Sequence, residues 1–311
     1  MTKLPSEFVK TAKICGIEHA LNNKGHFHVE KNSIISEQMP KGVVAVTRET
    51  NNGVVAEIVV GKGVKIKEPL FFCFGLKGTN ENQMIETKLT LEEGAEVEIL
   101  AHCSFPNASK SSHKMKAGYE IGKNAKLIYK EHHYHGKVSG ILVMPKLKVN
   151  IDEGGVFLSD FVLSKGSVGQ VGIEVEVILA KNAKSEISSK VFGKSEKDII
   201  SIIDKVTLEG ENSKSLVTMR AAAKDGGRVF MQGETYASGA NSIGHIDCQE
   251  IVSGEGSVAK AVPIVEVSND KARVTHEASV GKINQKELET LMTRGMDEEE
   301  ATELIIEAMM R

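Results

Sequence analysis

A step of about thirty residues, repeated along most of the chain, constrains this sequence more than any other feature. The turn-like pairs Gly63-Val64, Gly94-Ala95, Asn124-Ala125, Gly154-Gly155, Asn182-Ala183, Asn212-Ser213, Asn241-Ser242 and Lys271-Ala272 succeed one another at intervals of 28 to 31 residues. Gly and Asn are the residues that tolerate positive φ at a tight turn. Runs such as Glu96-Val97-Glu98-Ile99-Leu100 and Lys184-Ser185-Glu186-Ile187-Ser188 then alternate apolar with polar, the mark of a half-buried strand. A second run falls between most signals, as in Gly172 to Leu179. Two strands per repeat over seven repeats, with almost no helix, predict a mainly β protein built as a β-solenoid. A β-sandwich also turns often, but it does not hold one step over two hundred residues. The absence of Trp, 5% aromatic content and 29 glycines suit short, closely stacked strands.

The ends break the pattern, so three regions are expected. Residues 1–38 form an N-terminal helical segment, with a helical pattern from Ser6 to Leu21 followed by a stretch that the pattern leaves open. Residues 39–282 form the solenoid core. Residues 283–311 form a C-terminal helical pair. Lys286, Glu287, Leu288, Leu291, Met292 and Arg294 suit a first helix that Gly295 closes. Asp297 caps a second, with Glu300 at the capping-box position and Ala301, Leu304, Ile305, Ala308 and Met309 on one face. Such a pair either caps the solenoid end or offers a docking platform.

Composition excludes several functions. A net charge of −3 gives no basic field for nucleic acid. No run approaches the ~20 apolar residues of a membrane span, and the first residues hold no signal-like apolar run. The four cysteines, Cys15, Cys73, Cys103 and Cys248, are scattered with no Cys-x-x-Cys. That spacing argues for free thiols in a reducing cytoplasm. The sequence carries no phosphate loop, no nucleophile elbow and no dinucleotide fingerprint, so nucleotide hydrolysis would belong to another subunit.

Two constellations could carry metal chemistry. Cys248 precedes Glu277 by twenty-nine residues, next to His276. The repeat sets the two segments on neighbouring rungs near the end of the last coil, where thiolate, imidazole and carboxylate are ligands for transition metals. Taken singly, each is ordinary: a lone Cys in a strand is usually a small core residue. Strand alternation also sends His276 and Glu277 to opposite faces. The second constellation is Glu131-His132-His133-Tyr134-His135. Alternation places Glu131, His133 and His135 together, and Cys103 one repeat earlier falls near His133 inside the coil. Such histidines either share a metal or form a hydrogen-bonded polar face. Cys15 is expected in the core, and the pair His26 and His28 on the surface.

The segment from Gly244 to Met310 resembles the C-terminal part of the SufB/SufD family of iron–sulfur cluster assembly proteins. Cys248, the run Ala272-Arg273-Val274-Thr275-His276-Glu277-Ala278-Ser279, Lys282-Ile283 and Thr293 to Ala301 carry the likeness, which continues more weakly from about residue 40. The resemblance implies a right-handed parallel β-helix whose C-terminal helices dock an ABC-type ATPase of the SufC kind through Leu288, Leu291, Met292, Leu304 and Ile305. It implies a transient iron–sulfur cluster held at Cys248, Glu277 and His276, SufB-like in keeping the Cys and Glu. The run Glu98 to Pro106 resembles the family's second cysteine region, which implies a sulfur path through Cys103, His133, His135 and Lys146.

The expected function is therefore a cytoplasmic scaffold, not itself an enzyme, on which a nascent cluster forms at the edge between two chains. The pair would be a homodimer or a heterodimer with another family member. A cysteine desulfurase or other donor would bring sulfur, and apo iron–sulfur proteins would receive the cluster. The chain lacks the long N-terminal extension of bacterial SufB, which favours self-pairing. A SufD-like accessory subunit is one alternative. A carbohydrate-active β-helix is the other, and zero Trp with four Tyr argues against its aromatic platforms.

Overall fold

The computed structural model describes residues 5–136 and 140–310, so the outermost residues of both expected terminal segments lie outside it. The chain winds into a β-solenoid of about 8 turns. Each full coil gives one strand to a ten-stranded sheet and one to a facing nine-stranded sheet. Within each sheet, coils stack in parallel at the expected step: Lys126–His135 runs beside Glu96–Phe105, and Ile243–Ser253 beside Lys214–Lys224.

The turn residues hold this step. Gly63, Gly94, Asn124, Gly154, Asn182, Asn212 and Asn241 all adopt positive φ, between 54° and 70°. Only Gly, or an Asn whose amide can bond locally, takes that conformation cheaply. The backbone N–H of each turn bonds to the next turn, as from Asn124 to the Glu153 carbonyl at 2.9 Å. Strand alternation does the rest. Odd-numbered side chains of Lys126–His135 point inward, and Val54, Ile58, Leu89, Val149, Val177, Val206 and Val217 fill one continuous apolar interior.

The two ends of the solenoid differ. At the first coils, Ser33–Gln38 and Val43–Thr50 add antiparallel to their neighbours and close the stack. At the last coil, Val258–Val267 and Arg273–Lys282 are parallel edge strands with no strand beyond them among the described residues. Val265, Val267 and Val280 continue inward-facing columns, yet are 43%, 44% and 53% exposed.

Helix α1 (Ser6–Ile14) and a short 3-10 turn (Glu18–Asn22) lie against the ten-stranded sheet, with Phe8 and Ala12 packed on Phe71, Cys73 and Leu100. The N-terminal segment is helical only that far, because His26–Glu30 and Ser33–Gln38 are strands. Helices α2 (Gln285–Met292) and α3 (Glu298–Met309) form the C-terminal pair. Asn284 caps α2, and the Asp297/Glu300 capping box opens α3. Ile306 and Met310 seat α3 on Phe192 and Ala222 of the sheet, and Glu303 pairs with Lys194 and Glu299 with Lys224.

Candidate functional site

At the open end, Cys248 lies on the inward face of Ile243–Ser253, buried beneath the terminal coil and opposite Ala278 of the edge strand. Glu250 is the next inward side chain. Both of its carboxylate oxygens are buried without a hydrogen-bond partner, as are Asp204 Oδ1, Thr235 Oγ1 and His276 Nε2. Unpartnered buried polar atoms are costly and uncommon, so this cluster reads as chemistry more than packing. Burial pushes the Cys248 thiol to about 12, with Glu250 and Asp247 adding to it. Burial likewise lifts Glu250 and Asp204 to about 7.

His276 sits on the same inward face as Cys248, paired with Ile246. Burial, and then the neighbouring His245, hold it below the usual imidazole range. Glu277 pairs with Asp247 on the outward face and is exposed. Within one chain, then, Cys248 shares a face with His276 and Glu250, while Glu277 stands on the other side of the sheet. Asp247 is already engaged by Arg220.

Deeper in the coil a second group converges from both sheets. Cys103 pairs with His133 across adjacent strands. Cys103 Sγ lies 3.7 Å from Glu131 Oε1 and 3.9 Å from His113 Nε2 of the opposite sheet. Glu131 Oε1 is 2.6 Å from His133 Nε2. The ligand atoms of Cys103, Glu131 and His133 all fall within 4.8 Å of one another. Burial drives the Cys103 thiol well above its ordinary value, with the Glu131 charge second. Burial would raise Glu131 too, but the hydrogen bond and charge of His133 together outweigh it and hold the carboxyl below the usual range. His135 joins through His133 at 3.3 Å.

Lys146 is not part of this group. It is exposed on the outer face of the other sheet, 2.8 Å from Glu174. Cys103 and Cys248 are far apart along the ten-stranded sheet. They lie five strand steps apart, about 24 Å at ordinary strand spacing. Phe161, Leu163, Val191, Met219 and Ala221, with the buried polar Ser189, fill the inward columns between them.

Of the residues expected to dock a partner, Leu288 is buried, whereas Leu291, Leu304 and Ile305 line, with Ala308, a shallow apolar groove between α2 and α3. Met292 is 40% exposed. His28, expected at the surface, is buried beside Phe71 and stacked on His26. Sequence reasoning missed Glu250 and Asp204 at the open end and His113 as a member of the interior group. The signal for Glu250 was present, since it shares Cys248's alternation. Nothing local marks His113 or Asp204, because only the crossing between sheets brings them in.

Comparisons with known proteins agree with this architecture. Residues 74–309 match the profile of the "SUF system FeS cluster assembly, SufBD core domain". The chain is 41% identical over 293 residues to an iron–sulfur cluster assembly SufBD family protein of Methanocaldococcus jannaschii, covering 94% of this chain and 92% of that one. A protein of the same description from Pyrococcus horikoshii is 30% identical, over 91% of this chain and 85% of its own. A longer relative from Staphylococcus epidermidis is 30% identical over 80% of this chain but only 53% of its own length. A solenoid of this step, matched by the profile over most of its coils and its helical pair, makes the chain a member of the SufBD family of iron–sulfur cluster assembly proteins.

Proposed function

We propose that this chain is a cytoplasmic scaffold that holds a nascent iron–sulfur cluster between two copies of its open end. The observation that carries the reading is the terminal coil. Inward-facing valines stand exposed there, next to a buried thiol and four side chains with unpartnered buried polar atoms. An uncovered apolar coil end calls for a lid, and two identical ends related by a two-fold axis supply one to each other. The small side chain of Ala278 is the only cover directly over Cys248 on the edge strand.

The protein's part in assembly follows from its proton affinities. The Cys248 thiol stays protonated and unreactive until iron arrives, since the thiolate is the ligand and the nucleophile. Iron displaces the thiol proton, and the Glu250 carboxylate, with an affinity near neutrality, is matched to accept it. His276 then offers a ligand on the thiol's own face, and Glu277 offers an oxygen from the outer face at the free edge. Carboxylate and imidazole bind cluster iron less firmly than four thiolates, which suits release to acceptor proteins. The chain contributes no nucleotide chemistry in this reading. An ABC-type ATPase on the α2–α3 groove would strain the coil end through α3, which is seated directly on the sheet.

Anaerobic reconstitution with ferrous iron and sulfide tests the scaffold. Wild-type protein gains cluster absorbance in the visible range, and Cys248→Ala loses it. Equal absorbance in a folded Cys248→Ala protein overturns the reading in favour of an accessory subunit.

A further inference from the structure

The hydrogen bonds around Cys103 fix which ring nitrogens face its thiol and the Glu131 carboxylate. His135 Nδ1 lies 2.7 Å from the Val168 carbonyl, which only accepts, so that nitrogen carries the proton. The Nε2 lone pair of neutral His135 therefore faces His133 Nδ1 at 3.3 Å, and His133 donates from Nδ1. A proton on His133 Nε2 makes the ring an imidazolium paired with the Glu131 carboxylate 2.6 Å away, and a metal cation at that point would take the proton's place.

The same logic fixes His113. The Gln83 amide N–H donates to the carbonyls of Lys31 and Gly75, so its oxygen faces the other way. That oxygen lies 2.7 Å from His113 Nδ1, which must donate to it. His113 Nε2 then presents its own lone pair, 3.9 Å from Cys103 Sγ. With that proton replaced by a metal, two imidazole nitrogens face one thiol and one carboxylate, all four side chains buried and each ring held from behind by a hydrogen-bond acceptor. This outer support is what metal-binding histidines characteristically have. Phe105 packs against His113 and His135, and Phe161 against His133, enclosing the group in an apolar wall.

We propose that Cys103, Glu131, His113 and His133 form a four-ligand site for one divalent first-row transition ion, buried inside the solenoid and separate from the open end. Four donors of N, O and S character with no open position describe a closed tetrahedral site. One thiolate and one carboxylate neutralise a divalent ion, so the filled site carries no net charge into the apolar interior. The site also joins the two sheets at the N-terminal half of the coil, through Cys103, Glu131 and His133 on one and His113 on the other. Its ion would brace the solenoid there. The inference stands independently of the scaffold reading, because it uses none of the residues at the open end.

Cobalt(II) provides the test. The full-length wild-type chain, freed of metal and titrated anaerobically with Co2+, is expected to bind one equivalent at this site. A thiolate-to-cobalt charge-transfer band and intense tetrahedral ligand-field bands should accompany it. Both should survive in Cys248→Ala and vanish in Cys103→Ser. Absence of these bands in folded wild type, their survival in folded Cys103→Ser, or their loss in Cys248→Ala overturns the proposal. If Cys103→Ser does not fold, X-ray absorption of cobalt-loaded Cys248→Ala decides. One sulfur with histidine scattering supports the site, and a shell without sulfur overturns it. Displacement of cobalt by Fe2+ marks an iron site and displacement by Zn2+ alone a zinc site, while displacement by neither overturns it.

Discussion

At the scale of single residues, this protein buries titratable groups that most proteins leave in water. His28 is a clear case away from both ligand groups. Its ring is buried against Phe71, and neither nitrogen has a hydrogen-bond partner. Burial, with His26 next, lowers it to about 4. In the unfolded chain a histidine takes up its proton near 6.5, so below that value the unfolded state binds a proton that the folded state refuses. The stability due to neutral His28 is therefore complete above about pH 6.5 and is lost as pH falls towards 4. That loss amounts to at most about 3 kcal/mol. His28→Phe should keep the ring packing and lose less stability between pH 7 and pH 4.5 than wild type, as read from thermal melts. Equal losses would mean that His28 is already protonated, or already solvated, in the folded state.

At the scale of elements, the C-terminal pair divides its apolar residues between two jobs. Ile306 and Met310 hold α3 to Phe192 and Ala222, and Leu288 is buried. Leu291, Leu304 and Ile305 remain available in the groove between the helices. A charge placed at Leu304 or Ile305 faces solvent in the free chain but would be buried under a docked partner. Leu304→Asp and Ile305→Asp should therefore leave the circular dichroism and melting of the chain nearly unchanged. Each should weaken co-purification of the proposed partner ATPase about thirty-fold or more, the cost of losing a central hot-spot side chain. Undiminished co-purification would remove these residues from the docking surface.

The helical pair was legible because caps and periodicity are local: Asp297, Glu300 and Gly295 mark it in the sequence and again in the structure. The turn positions were legible for the same reason. What the sequence could not supply was the face each side chain takes relative to distant strands. A step of twenty-nine residues against a register of thirty sets Glu277 beside Asp247 instead of Cys248. Lys146, taken for a polar member of the interior, falls on the outward side of its strand. His113 reaches Cys103 only through the facing sheet.

At the scale of the whole molecule, the asymmetry of the solenoid governs the account. The first coils are closed by reversed strands, and the ten-stranded sheet is covered at one end by α1 and at the other by α3. Only the last coil stops with inward-facing valines in the open and a buried thiol beneath it. No helix among the described residues is long and apolar enough to cross a membrane. In the proposed reading the fold offers half of a site, and a partner end supplies the other half. Native mass spectrometry of the anaerobically reconstituted protein tests this most directly. The account predicts a cluster mass carried by two chains together, with single chains free of it. A complete cluster on a lone chain would contradict it.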